Sequence, residues 1–342
     1  MTRRFPSGLI IQPLALVLLA GLFFAVNGIA PLPIFGRMLH DSFGGAFSFS
    51  QTLLNAVVIA LCGLSVALPA RLGLISVGAE GEMVVGAIFG TGAMLALVSA
   101  PAFVLLPAII IASMAGGFLW GGLIGVLRAY FNANETISSL MLNFIAVDIL
   151  EFLINGPWQD PTSGNWPTSI SFPKAALPPT FAIGPVSFHS DLLLAIAGSV
   201  ALFFVFAYTR QGFLVRILRN NGRLAPFVHA IEKRWIVILL AVAGVFPALA
   251  GIYQSTLVQG NLQGGFFVGY GMAGFVSAWL ARNDFMLLLL SSLLLGGLFS
   301  AADALQLNAN LPSSTSLVLE SIVIFVILLA RRFERRNAVA ER

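Results

Sequence analysis

The sequence predicts an all-α, polytopic membrane protein with about ten transmembrane helices, some of them broken. Three observations carry that prediction. The 342 residues are 58% hydrophobic and 9% charged, with 34 Gly and 29 Phe. Soluble domains carry about 25% charged residues, and a water-soluble core cannot absorb so much apolar side chain without large exposed patches. Apolar runs of about 20 residues, the length that crosses the hydrocarbon of a bilayer, recur along the chain. Basic residues gather in alternate connections between those runs.

The spans fall near 9–26, 51–70, 74–97, 102–127, 137–154, 190–208, 235–254, 266–281, 285–301 and 314–330. Polar residues interrupt the third, fifth and eighth. An even number puts both termini on one side. Sixteen of the 18 Lys and Arg then share one face, and the other keeps only Arg37 and Lys174. Positive residues mark cytoplasmic loops, so both termini are expected in the cytoplasm of a multi-pass inner-membrane protein. The same placement accounts for the net charge of +4 without a nucleic-acid partner. The run after Arg3-Arg4 has no small-residue cleavage site behind it and reads as an uncleaved first span.

The chain reads as a single transmembrane domain, 1–342, with two long connections. Residues 155–189, on the outer side, hold seven prolines and two tryptophans, Trp158 and Trp166, so this stretch cannot be regular helix. Residues 209–234 form the long cytoplasmic loop and the most basic part of the chain. Apolar residues recur there at Phe213, Ile217, Leu218, Leu224, Phe227, Val228 and Ile231, a periodicity of short amphipathic helices.

Polar groups at membrane depth usually face a bundle interior or a cavity. GLISVGAEGEMVVGA (73–87) places Glu80 and Glu82 among glycines, the pattern of a broken helix whose freed amides need protein partners. In NANETISSLMLNFIAVDILEFL (132–153), Asn134 is a helix cap and Glu135 a first-turn acid, a helix start at the inner interface. Asn143 lies deeper on roughly the same face and is a candidate for lining a solute path, with Glu80, Asn55 and Gln254. AGGFLWGGLIG (115–125) has the small-residue spacing of close helix packing. A weak echo links VGAEGEMVVGA (77–87) and VGYGMAGFVSA (268–278), compatible with inverted repeats.

Several chemistries are excluded. There is no Walker-type loop and no H-E-x-x-H. Cys62 stands alone, and His40, His189 and His229 are not at ligand spacing, so no metal site, cofactor or catalytic residue is expected. Transport remains, driven either by an external ATPase docked on 209–234 or, alternatively, by an ion gradient acting on intramembrane carboxylates.

Three segments carry a resemblance to a known family. GLISVGAEGEM is similar to an N-I-G-x-E-G-Q segment, NETISSLMLNFIA to an N-E-x-I-x-S/T-x-M-L-N-Y/F-I-A segment, and GYGMAGFVSAWLARNDF to a third glycine-rich segment. The family is that of permease subunits of bacterial ABC importers for ribose, branched-chain amino acids and nucleosides, and the match lies nearest its nucleoside or simple-sugar branch. It covers roughly residues 50 to 330. The resemblance implies ABC ATPase subunits, a second permease subunit in a heterodimer, an extracytoplasmic solute-binding protein and a small polar solute. It implies that Gly212, Arg216, Asn221, Ala225 and Phe227 belong to the ATPase-docking stretch. Ser76 stands where the family has Asn, Glu82 and Glu320 where it has Gln, and Gly222 where it has Pro. Pro226 is expected to interrupt a helix there, and Pro247 is an addition to the seventh span.

Overall fold

The computed structural model describes residues 18–26, 30–164, 166–220 and 225–309, with isolated positions beyond; at 220 and 225–230 the backbone alone is described. The helices are α1 (Leu18–Val26), α2 (Pro31–Phe43), α3 (Ala46–Ala67), α4 (Ala79–Ala96), α5 (Ala102–Phe131) and α6 (Glu135–Ile154). They continue as α7 (Ser190–Tyr208), α8 (Arg210–Asn220), α9 (Ala225–Tyr253), α10 (Tyr270–Leu280) and α11 (Phe285–Ala309). Two short antiparallel strands, β1 (Thr180–Ile183) and β2 (Val186–His189), pair Thr180 with His189 and Ile183 with Val186.

Six of the described helical segments are long and apolar enough to cross a membrane, or seven if α1 and α2 form one bent span. The sequence reading of about ten also counts α4, the eleven-residue α10, and spans at 9–26 and 314–330. Those last two lie partly or largely outside the described residues, as does the side chain of Glu320.

The chain divides into two compact units. In the first, residues 1–52 and 296–342, Phe24, Ile34, Met38, Ala301 and Leu305 form the core. There the Ser42 hydroxyl lies 2.6 Å from the Gly297 carbonyl, and the Thr52 hydroxyl donates to the Ser42 carbonyl at 2.8 Å.

The second unit, residues 53–295, is built around α4, α5 and α9. Glycines set how closely these helices approach. A Cβ on Gly117 of α5 would meet the Gly244 carbonyl of α9, one on Gly121 would meet the Leu240 carbonyl, and one on Gly125 would meet Val237. The four-residue spacing keeps all three on one face of α5. Without a hydrophobic drive between helices in lipid, such backbone-to-backbone contact supplies the packing. Gly86 of α4 likewise sits against Ala248 of α9.

Proline falls in two kinds of place. Pro107 and Pro247 lie inside α5 and α9. The sequence reading has Pro226 interrupt a helix; it falls in the first turn of α9, where the missing N–H has no intrahelical partner in any case, and residues 221–224 before it lie outside the described residues. Beyond Tyr253 the chain widens into a π-helical turn, Gln254–Gln259, closed by Gly260 at φ 73°. The proline-rich stretch 155–189 holds turns, the β hairpin and a 3-10 turn, Lys174–Ala176. It is tied to the segment after the π turn: Ser169 N donates to Leu262 O at 2.8 Å and Phe172 N to Gly260 O at 2.9 Å. Trp158 packs over Gly92, whereas Trp166 is exposed.

Candidate functional site

The two polar membrane stretches meet. Residues 74–77, between the 3-10 turn Pro69–Leu72 and α4, have no regular secondary structure, and after Leu74, whose N donates to Pro69 O at 3.3 Å, their backbone groups need partners from elsewhere. One face of α6 supplies them. Ile75 N donates to a Glu135 oxygen at 3.3 Å, and the Thr136 hydroxyl donates back to Ile75 O at 2.8 Å. Val77 N donates to the Ser139 hydroxyl at 3.1 Å, and Asn143 Nδ2 donates to Val77 O at 2.8 Å. One turn into α4, Gly81 N donates to Asn143 Oδ1 at 2.9 Å. Positions 136, 139 and 143 share a helix face, and their side chains supply the partners that regular secondary structure would otherwise give this stretch. Buried polar backbone left without such partners costs roughly 1–3 kcal/mol per group.

α6 itself begins as the sequence suggests. Asn134 Oδ1 accepts from Thr136 N and Ile137 N at 3.0 and 3.2 Å. Glu135 also pairs with Arg128 at 3.2 Å, across the turn that joins α5 to α6. Asn143 is buried, and its amide donates to one backbone group and accepts from another. Glu80 is hydrogen-bonded to the backbone of Gly269 and Met272, at the start of α10, and Gly271 packs on its side chain. The two echoing glycine-rich segments therefore touch, start to start, through Glu80.

Asn55 Oδ1 accepts from the Tyr270 hydroxyl at 2.8 Å, so it sits near that same α10 start. Gln254 is buried at the head of the π turn. Glu82 is 1% exposed at the glycine crossing, against Gly121 of α5 and Gly244 of α9. Neither of its carboxyl oxygens has a hydrogen-bond partner among the described residues. The hydroxyl of nearby Ser65 donates instead to Cys62 O at 2.9 Å.

The second candidate region is α8. Thr209 turns the chain out of α7: its hydroxyl donates to Val205 O at 2.6 Å and accepts from Gly212 N at 3.3 Å. Gly212 is buried against the last turn of α7, where a Cβ would meet the backbone of Phe206 and Val205. Phe213 and Arg216 point outward. Asn221 lies outside the described residues, and Ala225 and Phe227 are placed only as backbone in the start of α9. The residues that sequence reasoning passed over are Thr136, Ser139 and Tyr270. The first two were visible as polar positions at helical spacing with Asn143. No group of three or more His, Cys, Asp and Glu that could hold a metal occurs among the described residues.

A non-helical break held by a neighbouring helix, among helices long and apolar enough to cross a membrane, fits a transport subunit. Residues 48–330 match the family described as the permease component of branched-chain amino acid transport systems, and the chain belongs to that family. It is 32% identical to a glucose ABC transporter permease of Haloferax volcanii, over 97% of this chain and 91% of that protein. It is 26% identical to a guanosine ABC transporter permease of Bacillus subtilis, over 95% and 94%. A nucleoside ABC transporter permease of Lactococcus lactis is 24% identical over 90% and 87%. No solved structure matches the chain.

Proposed function

We propose that this chain is the membrane-embedded permease of an ATP-driven importer that moves a nucleoside or simple sugar inward across the cell's inner membrane. It works with a second, different permease subunit, two ABC ATPase subunits and an extracytoplasmic binding protein, and hydrolysis takes place in the ATPases. In this reading the chain spans the bilayer ten times with both termini in the cytoplasm. Residues 209–234 carry the ATPase contact, through Gly212, Arg216, Asn221, Ala225 and Phe227.

The observation that supports the reading best is α8. It is an 11-residue helix set off from a membrane-crossing helix by a tight turn, with a phenylalanine 63% exposed and an arginine beside it. An exposed Phe213 next to cationic residues is what a protein partner recognises, since aromatic and Arg anchors dominate interfaces. The solute names of the relatives, glucose, guanosine and nucleoside, support a polar, hydroxyl-rich cargo.

Copurification tests it. The wild-type chain, expressed with its neighbours, brings down an ATPase, and Phe213→Ala weakens that association without unfolding the permease. Uptake that continues after the proton gradient is collapsed agrees with this reading. A second reading, an ion-coupled carrier, is favoured by one observation, the unpaired buried carboxyl of Glu82. Uptake that stops with the gradient while ATP stays high would select it.

A further inference from the structure

A cavity of about 330 Å³ opens where the last turn of α7 meets α8. Its walls are Phe203, Phe206 and Phe285, and its rim carries Arg71, Arg216 and Arg219 with one carboxylate, Asp284. The cations outnumber the acid, and the acid is already engaged. Asp284 Oδ1 accepts from Met286 N and Leu287 N at 3.0 and 3.1 Å, capping α11. Among the described residues neither Arg216 nor Arg219 forms an ion pair.

Arg71 is held in place. Its guanidinium lies 4.4 Å from the centre of the Phe285 ring and 5.8 Å from that of Phe206, and it donates to Asn283 O at 2.9 Å. Its Nε is buried and has no partner among the described residues. A planar guanidinium fixed by stacking, half-buried at the rim of the pocket, is suited to an oxyanion.

The apolar half of the pocket narrows the ligand. Phe203 and Phe206 belong to the end of α7, which is long and apolar enough to cross a membrane; Arg216 and Arg219 lie beyond that end, and Arg71 lies at the end of another candidate span, Ala46–Leu72. A soluble anion would use the guanidinium groups and leave Phe203 and Phe206, both partly exposed, against water. A phospholipid at the interface uses both halves: phosphate on the arginines, glycerol and upper acyl chain on the rings. Basic pockets between membrane helices are known to take anionic headgroups in this way.

We propose that this pocket binds the phosphate headgroup of an anionic phospholipid. The site goes beyond the docking of an ATPase on α8, and it does not require that docking.

The test uses the intact transporter, purified with the subunits that accompany it and placed in nanodiscs of either phosphatidylglycerol or phosphatidylcholine. Native mass spectrometry counts the lipid retained on release. Phosphatidylglycerol is retained and phosphatidylcholine is lost. Arg219→Gln lowers retention about fivefold, as removal of one interfacial cation should. Asp284→Asn raises it, because Asn keeps the helix cap while the lone negative charge goes. Equal retention of both lipids overturns the proposal, as does an Arg219→Gln protein that melts like the parent and keeps its lipid. Displacement by millimolar inorganic phosphate assigns the pocket to a soluble anion instead. Lipid that binds only after the ATPase is stripped away assigns the arginines to that partner. An Arg219→Gln complex that loses its lipid but keeps its ATPase supports the proposal and leaves the docking reading intact.

Discussion

The amide nitrogen of Asn143 lies 2.8 Å from the carbonyl oxygen of Val77, and the same side chain takes the amide of Gly81 on its other end. One residue of α6 thus bridges the non-helical break and the first turn of α4. Asn143 is fitted for this because its amide both donates and accepts.

Asn143→Leu removes both bonds and leaves two buried backbone groups unpaired. The expected loss is about 2–5 kcal/mol, read as a lower melting temperature of the detergent-solubilised protein. Asn143→Asp keeps the acceptor for Gly81 and loses the donor to Val77, so it should fall between Leu and the parent. An Asn143→Leu protein that melts normally would show that the bridge contributes little.

The crossing of α5 and α9 predicts opposite outcomes for two neighbouring glycines. Gly121→Ala drives a methyl into the Leu240 carbonyl, whereas Gly122→Ala meets only the Ala241 methyl at 3.5 Å, an ordinary contact. The first is expected to cost about 1–3 kcal/mol or to prevent expression, and the second to change the melting temperature little. Thermal denaturation followed by size-exclusion chromatography distinguishes them.

Glu82→Gln should stabilise the fold. A carboxylate with no hydrogen bond, 1% exposed between two glycines, is costly to keep charged away from water. The neutral amide is nearly the same shape. A gain of about 1–3 kcal/mol is expected, seen as a higher melting temperature at neutral pH. If the ion-coupled reading is right, the same variant loses uptake, so melting and transport together separate the two cases.

Asp160 offers a pH test outside the membrane. Thr162 N and the Thr162 hydroxyl donate to its Oδ1 at 2.8 and 2.7 Å and hold its carboxyl below the usual range. A folded-state value depressed in this way gives support that is present above the unfolded value of about 4. That support is lost as pH falls through the folded value. An isotopically labelled Asp160 carboxyl should therefore titrate below a free aspartyl peptide, and Thr162→Val should bring it back up.

Much of this was legible in the sequence, for specific reasons. Composition and apolar run length required membrane helices, and the Asn134-Glu135 pair marked where α6 begins. The glycine spacing of 117, 121 and 125 signalled a close crossing. What could not be read was the pairing of 74–77 with α6, because side-chain-to-backbone bonds across 60 residues leave no local period. The same holds for Glu80. Its position among glycines pointed to freed amides, but the amides it meets belong to α10, nearly 190 positions later.

The lattice of bonds between 75–81 and 135–143 has an evolutionary consequence. Each segment supplies hydrogen-bond partners to the other, so the pair is expected to behave as one inherited unit although most of α4 and all of α5 separate the two in sequence. A chimera that takes its first glycine-rich segment from one relative and its α6 from a distant one should misassemble, while a graft carrying both should fold.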